Sequence, residues 1–154
     1  DAMATVTNDT RLATIFGGRG FIGRYTVRAL ARRGYRIRAA ERRPDLAGHL
    51  QPMGGVGQIH AVQANLRFEE SVRRVVEGAE VVVNLVGILA ESGRQTFEAV
   101  HVEGARRVAR AAKAAGARAL VHLSAIGADA KSASRYARSK AAGEAAVLAE
   151  SQAR

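Results

Sequence analysis

A serine, a tyrosine and a lysine in the last third of the chain have side chains suited to acid–base chemistry at an oxygen atom. Tyr136 and Lys140 are four residues apart, which places both side chains on one face of a helix. An ammonium charge stabilises a nearby phenolate, so such a tyrosine can exchange a proton with an alcohol or carbonyl oxygen. Ser124 ends a short apolar run and could hydrogen-bond the same oxygen. This set suits hydride transfer involving a nicotinamide, although a Tyr–Lys pair at this spacing also occurs as a solvated pair on helices.

A glycine-rich segment near the start of the chain has the pattern of a dinucleotide-binding turn. It follows the apolar run Leu12–Phe16 and begins a helical pattern over Phe21–Arg33. Three evenly spaced glycines would form the tight turn, let the backbone approach a pyrophosphate, and let the helix pack on the strand. The helix N-terminus would face the phosphates with its positive end, although a glycine turn without a ligand is the alternative. The predicted cofactor-binding residues here are Gly17, Gly18, Arg19, Gly20, Phe21, Ile22 and Gly23.

The end of the second predicted strand bears on which dinucleotide binds. Glu41 could bond the ribose 2′-hydroxyl of NAD(H). Arg42 and Arg43 could instead bind the 2′-phosphate of NADP(H), and Arg19 points to the same region. Because arginines outnumber the glutamate, we predict NADP(H), with NAD(H) as the alternative. Arg42 and Arg43 could also form a solvated turn, or Glu41 could instead pair with one of these two arginines. Asn65, after the third predicted strand, could meet the adenine edge.

Strand and helix patterns alternate along the chain. This alternation predicts an α/β fold, a Rossmann-type doubly wound parallel sheet in three α/β/α layers. Three helical patterns end in a glycine that suits a left-handed C-terminal cap before a β-like run. Strands are predicted at Leu12–Phe16, Tyr35–Ala40, Gln58–Gln63, Val81–Val86 and Leu120–Leu123, and helices at Phe21–Arg33, Phe68–Glu77, Thr96–Ala115 and Ser132–Glu150.

Composition limits the classes of protein to which the chain can belong. The length of 154 residues predicts one domain over residues 11–154, after a polar segment, residues 1–10, expected to be a disordered tail or vector-derived remnant. No cysteine is present, so we expect no metal centre and no disulfide framework. No apolar run is long enough to span a bilayer, and a cytoplasmic protein is expected. The net charge of +10 comes from scattered arginines with few aromatic residues, which argues against nucleic acid as a partner.

Taken together, these motifs resemble the extended and atypical short-chain dehydrogenase/reductase superfamily. The resemblance rests on the glycine turn, on the segment Asn84 to Gly87, on Ser124 and on the segment Tyr136 to Lys140, and it covers nearly the whole chain from Arg11. It implies a doubly wound sheet, a bound NAD(P) and a Ser–Tyr–Lys active site. The implied catalytic residues are Ser124, Tyr136 and Lys140, and the further implied cofactor contacts are Leu85, Val86, Gly87, Tyr136 and Lys140.

A closer resemblance is to the NADPH-binding accessory subunit family of respiratory complex I and its bacterial relatives. The resemblance rests on residues 49–58, 71–76 and 131–136. It is specific because the Rossmann fold alone does not require these sequences. The resemblance implies complex I subunits as partners, and a peripheral place on the inner membrane through that complex. The eukaryotic subunit is regarded as binding nucleotide for assembly or stability without turnover. The nucleotide-holding roles in that family map onto Gly17, Gly20, Gly23, Arg19 and Arg42.

The sequence departs from the superfamily pattern at two places. His101 stands where many extended members carry Asn, and we interpret it as a packed or solvated helix histidine rather than a catalytic base. The superfamily pattern also continues beyond a fifth strand and its helix, where this sequence stops, so no substrate is predicted. Two functions stay open: a nucleotide-binding accessory protein, or an NADP(H)-dependent oxidoreductase or sugar-nucleotide epimerase. A redox sensor that binds NADP(H) and a partner is a third.

Overall fold

A computed structural model describes residues 11–153 and contains a five-stranded parallel sheet flanked by helices. The tail predicted over residues 1–10 lies outside the described residues. No helix in the described part of the chain is long and apolar enough to cross a membrane. The strands are β1 (Leu12–Phe16), β2 (Arg36–Glu41), β3 (Ile59–Gln63), β4 (Val81–Asn84) and β5 (Ala119–His122), and the α-helices are α1 (Phe21–Arg32), α2 (Glu69–Val76), α3 (Ala105–Ala114) and α4 (Arg135–Gln152).

The order of the strands across the sheet is β3-β2-β1-β4-β5, and every neighbouring pair is parallel. The chain therefore winds outward from β1 in one direction and then returns to start again on its other side, which confirms the doubly wound prediction. Phe16, the last residue of β1, pairs with Ala40 on one side and Asn84 on the other. Because the strands end level with one another, the loops after them meet at the crevice between β1 and β4, where such sheets bind ligands.

The central strands β1 and β4 are buried on both faces, as their apolar sequences predicted, whereas the edge strand β5 is partly exposed. Ile15 of β1 packs with Val27 of α1 on one face. Phe16 points to the opposite face, where it packs with Val72 of α2 and Val108 of α3. This alternation along β1 fixes the strand between two apolar layers, so the residues at its carboxyl end stand on a rigid support.

The fourth strand is shorter than the run Val81–Val86 predicted, because a side chain ends its ladder. The backbone N–H of Leu85 still donates to the carbonyl of Phe16 at 2.9 Å. The N–H of Val86 instead donates to the side-chain oxygen of Asn84 at 3.2 Å. The strand therefore ends at Asn84, and the backbone of residues 85–87 is released toward the crevice.

The third predicted helix is not α-helical throughout. Its first part, Glu98–Gly104, is a π-helix that continues directly into α3. Two close contacts surround this wider turn. A Cβ atom on Gly104 would lie 3.0 Å from the Cβ of Leu66, and one on Gly143 of α4 would collide with the carbonyl oxygen of His101. The π-turn is thus packed tightly against α4, a feature that helical periodicity alone did not predict.

Two short 3₁₀ segments follow β2 and were not predicted. They span Pro44–Leu46 and Gly48–Met53 and cover the edge of the sheet near α1.

The last helix begins at Arg135 rather than at Ser132, because Ser134 caps it: the Ser134 hydroxyl accepts the N–H of Ala137 at 3.3 Å.

Candidate functional site

A cavity of about 340 Å³ opens at the carboxyl ends of the strands. Its wall is formed by the glycine turn, the end of β2, the loop after β3, the loop after β4 and the π-helix. This is the crevice in which the doubly wound topology places a ligand. The predicted cofactor-binding residues that line it are Gly17, Arg19, Gly20, Arg42, Arg43, Asn65, Leu85, Val86 and Gly87.

The glycines of the turn answer to different physical requirements. Gly17 has a φ of +81°, and a Cβ atom there would lie 3.2 Å from the backbone of Leu85. A Cβ atom on Gly23 would lie 2.6 Å from the backbone of Gly18, so the start of α1 can pack here only without a side chain. Gly20 is different: a Cβ atom there would have only the carbonyl oxygen of Gly17 within 4 Å, at 3.5 Å. The fold therefore does not need glycine at position 20, and the space beside it belongs to the cavity.

The N-terminus of α1 adjoins this open space. Gly20 is its N-cap residue and offers no side-chain cap, and no acidic residue lies in the first turn. The first backbone N–H groups of a helix lack partners within it and carry partial positive charge, which makes the position suitable for an anion. The predicted residues Gly18, Phe21, Ile22 and Gly23 do not line the cavity, and the side chains of Phe21 and Ile22 are exposed. Their contact with a ligand would therefore be through the backbone.

Glu41 is drawn into the glycine turn rather than left free at the end of β2. Its carboxylate accepts the backbone N–H of Arg19 at 2.8 Å, and the Arg19 guanidinium lies 4.0 Å from its other oxygen. Burial raises the pKa of Glu41, an effect that the Arg19 N–H and charge partly offset. The side chain therefore stabilises the turn. Its arginine partner is Arg19, and not Arg42 or Arg43 as the sequence alternative had it.

Of the two arginines after β2, one forms an ion pair and the other does not. Arg43 makes a two-pronged ion pair with Asp45, with its Nε and Nη2 atoms 3.0 and 2.8 Å from the carboxylate oxygens. Arg42 also lines the cavity and is exposed, and its guanidinium has no hydrogen-bond or ion-pair partner among residues 11–153. Of the two, Arg42 is the one available to a ligand without breaking an existing pair.

Asn65 lies on the cavity wall with part of its side chain already used. Its side-chain oxygen accepts the N–H of Arg67 at 3.0 Å, which forms a local turn after β3. The amide NH₂ group is the part left to face a ligand, so Asn65 can donate to an acceptor such as a ring nitrogen.

The predicted catalytic residues do not line the cavity, but Lys140 lies next to Gly87, which does. The Lys140 ammonium is buried and donates to the carbonyl of Leu123 at 3.2 Å, beside Ser124. Burial lowers the pKa of Lys140, and Glu144 partly offsets this effect. A Cβ atom on Gly87, a cavity residue, would be 3.8 Å from this ammonium nitrogen. The Ser124 hydroxyl is buried and has no partner among the described residues.

Tyr136 packs edge-on against two rings at the side of this cluster. Its ring centre is 5.9 Å from Phe97 and 5.4 Å from His101. His101 is 2% exposed, so it is the packed histidine that the helical pattern suggested. Burial, reinforced by the Lys140 charge, lowers its pKa from 6.5 to about 4.

Sequence reasoning did not identify several residues of the cavity wall. Ala64 and Leu66 flank Asn65, and Ile88 and Gln95 belong to the loop after β4. The position of Ala64 and Leu66 at the end of a predicted strand was a usable signal. Nothing in the sequence pointed to Ile88 and Gln95, because the conformation of their loop depends on an isolated antiparallel bridge between Ser92 and Gln95.

The fold and the site define a Rossmann-type domain of the epimerase/dehydratase class. Residues 13–154 match the NAD dependent epimerase/dehydratase family, and the chain belongs to this family. This bears out the resemblance to the short-chain dehydrogenase/reductase superfamily.

Individual relatives include respiratory-chain proteins and an enzyme. The mitochondrial NADH dehydrogenase (ubiquinone) 1 alpha subcomplex subunit 9 of Mus musculus is 39% identical over 135 residues, which cover 86% of this chain and 36% of that protein. Ceramide reductase of Caulobacter vibrioides is 37% identical over 143 residues, covering 93% of this chain and 44% of that protein. The chain thus spans less than half the length of these curated relatives.

Solved structures share the fold over a similar extent. A short-chain dehydrogenase/reductase superfamily protein from Agrobacterium tumefaciens, determined with bound NAD, matches 93% of this chain with a TM-score of 0.73 and 25% identity. That match covers 46% of the solved chain. Pen from Bacillus thuringiensis has a TM-score of 0.78 over 92% of this chain and 46% of its own, at 20% identity, which is a likeness of fold alone.

The lowered pKa of His101 predicts a specific dependence of stability on pH. The unfolded chain protonates this histidine near pH 6.5 and the folded chain only near pH 4, so acid favours the unfolded state between those values. From pH 7.5 to pH 5 the parent should lose about 2 kcal/mol of unfolding free energy through His101, and a His101→Asn variant should lack that loss. Urea unfolding at both pH values measures the difference, and equal pH dependence in the two proteins would contradict it.

Proposed function

We propose that this chain binds NADP(H) in the cavity at the carboxyl ends of β1, β2 and β4. The observation that carries the proposal is the pairing of an open, glycine-lined helix N-terminus with the unengaged guanidinium of Arg42 on the same cavity wall. The helix N-terminus would bind the pyrophosphate, and the Arg42 guanidinium would bind the 2′-phosphate that distinguishes NADP(H) from NAD(H). Family membership supports dinucleotide binding at this position.

The residues that line the cavity fit a dinucleotide in polarity. Beside Gly20 a side chain would meet almost nothing, so the backbone leaves room for a phosphate. Leu66, Val86 and Val100 give part of the wall an apolar surface suited to a flat base, and the Asn65 amide is available as a donor. This combination of an apolar wall and few polar groups is typical of cofactor sites.

The charges around the end of β2 favour the 2′-phosphate over a bare ribose. A glutamate that recognises NAD(H) has to direct its carboxylate to the ribose, but Glu41 is committed to the Arg19 N–H and lies beside the Arg19 charge. Arg42 adds a further positive charge at the same wall. A phosphate that enters here would meet the Arg42 side chain and a carboxylate whose Oε1 atom already accepts the Arg19 N–H.

We further propose that the bound nucleotide serves a structural role in an assembly related to respiratory complex I. Relatives named as NADH dehydrogenase subunits from mouse and from Arabidopsis thaliana are 39% and 38% identical to this chain. Their names support complex I subunits as partners, and a place at the membrane through those partners.

Replacing Arg42 should reveal the cofactor preference. Arg42→Ala should weaken NADPH binding by about 1.5–3 kcal/mol, roughly 10- to 100-fold in Kd, because a charge-assisted contact with the 2′-phosphate is lost. NADH binding should change much less. Arg43→Ala is the matched control, since that guanidinium is held by Asp45. Titration calorimetry of the parent and both variants with each nucleotide gives the dissociation constants, and an equal loss for NADPH and NADH in Arg42→Ala would refute the assignment.

A second candidate function is an NADP(H)-dependent oxidoreductase or epimerase. It is favoured by the buried Ser124 hydroxyl, which has no partner among residues 11–153, and by the buried Lys140 ammonium beside it. A bound nicotinamide dinucleotide supplies hydride-transfer chemistry. In this scheme Ser124 holds a substrate oxygen, Tyr136 exchanges a proton with that oxygen through its hydroxyl, and Lys140 provides the positive charge that favours the phenolate.

Tyr136→Phe separates the two functions because it keeps the ring and removes the hydroxyl. The aromatic packing against Phe97 and His101 should persist, so NADPH affinity should stay near that of the parent. If the protein is an enzyme, NADPH-dependent reduction of a panel of aldehydes and ketones should fall at least 100-fold in this variant, measured by loss of NADPH absorbance. Bound NADPH with no turnover in the parent would instead support the accessory function.

A further inference from the structure

His101 is hydrogen-bonded on both sides of its ring, and the bonds fix where its proton lies. Its Nε2 atom is 3.0 Å from the backbone N–H of Ile88 and must accept it. The proton therefore resides on Nδ1, which lies 2.8 Å from the hydroxyl oxygen of Ser139. Ser139 can accept this bond because its own hydrogen goes to the carbonyl of Tyr136 at 2.7 Å. The His101 ring and the Ser139 hydroxyl each donate one hydrogen bond and accept one, so a single neutral tautomer satisfies the whole set.

The ring is also held by packing. It stacks on Phe97 with a centroid distance of 5.4 Å, and Tyr136 meets it edge-on at the same distance. On the backbone side, Gly143 lets α4 approach the carbonyl of His101 so closely that no side chain could stand between them. Gly143 lies four residues after Ser139, so the close approach and the Ser139 hydrogen bond share one face of α4. The π-turn and α4 therefore form one tightly packed unit around the histidine.

The two ends of this hydrogen-bonded set belong to different parts of the site. Ile88 and its neighbour Gly87 line the nucleotide cavity. Ser139 belongs to α4, the helix that carries Tyr136 and Lys140. Within the described residues, His101 is the side chain that hydrogen-bonds both the cavity wall and α4. A shift of the wall on nucleotide binding would therefore be transmitted to α4 through the imidazole ring.

We propose that His101 is a positioning residue that couples the Gly87–Ile88 wall of the nucleotide cavity to Ser139 and Tyr136 of α4. This inference rests on the proposed function, since the wall it positions is that of the NADP(H) cavity. Its consequence is mutual: α4 holds the wall in the shape that binds nucleotide, and nucleotide holds α4 in place by the same free energy. Lowering of the His101 pKa to about 4 keeps the ring neutral next to the Lys140 charge, so the tautomer stays fixed through the physiological range.

Ser139→Ala tests the coupling because Ser139 does not line the nucleotide cavity and its hydroxyl bonds His101 and Tyr136. The variant removes the acceptor of the Nδ1 proton and leaves the bond from Ile88 to His101 in place. Ser151→Ala is the matched control, since it deletes a hydroxyl of the same helix whose hydrogen bond within residues 11–153 goes to the carbonyl of Val147. Both variants would be compared with the parent by ¹⁵N NMR of the histidine rings, by hydrogen exchange of the Ile88 amide, and by NADPH titration.

In the parent, His101 should show a protonated Nδ1 and a bare Nε2 between pH 6 and pH 8. In Ser139→Ala the Ile88 amide should exchange at least threefold faster and the Kd for NADPH should rise at least threefold, while the β1 amides exchange at the parent rate. Ser151→Ala should match the parent in all three measurements. An Ile88 amide that exchanges at the parent rate in Ser139→Ala would overturn the coupling. A parent chain that binds no NADPH would overturn the proposed function, and the Ile88 exchange rate would still decide the coupling on its own.

Discussion

The site depends on close contact between backbones at the crevice between β1 and β4. The turn after β1 reverses at Gly17, which has a left-handed φ and lies against the backbone of Leu85, and α1 begins where Gly23 meets Gly18. Neither contact has room for a side chain. Because these contacts bring the helix N-terminus level with the ends of β1 and β4, the anion-binding end of α1 faces the cavity that the loops enclose.

Charge is then distributed around that backbone frame. The Glu41 carboxylate accepts the Arg19 N–H, so this acidic group of the cavity wall stabilises the turn itself. Asp45 satisfies Arg43 from outside the cavity. Arg42 has no ion-pair partner among residues 11–153, so its positive charge is available where we propose that a 2′-phosphate lies. On the far side of Gly87, Lys140 is held against the carbonyl of Leu123, and His101 joins the wall to α4 while it carries no charge of its own.

Much of the fold could be predicted from the sequence because local rules decide it. The boundaries of β1 match the apolar run, and the glycines predicted to end helices, Gly34, Gly78 and Gly116, all have positive φ. What failed depends on partners distant in sequence: the Asn84 side chain ends β4 early, and packing against α4 accompanies a π-turn within the predicted third helix. In the site, residue types predicted the glycine turn and the basic wall. They could not show that Arg43 is engaged by Asp45, nor that two hydrogen bonds fix His101, because such choices are made only in three dimensions.

The most direct test of the account is the NADPH affinity of a Gly20→Ala variant, with Gly48→Ala as its control. A methyl group at either position would contact little or nothing in the protein. The free energy of unfolding of both variants should therefore be within about 1 kcal/mol of the parent's. Only the group at position 20 would occupy cavity space where the account places a phosphate. We expect at least a tenfold rise in the Kd for NADPH in Gly20→Ala and none in Gly48→Ala. Parent-like affinity in Gly20→Ala would show that the nucleotide does not bind at this turn.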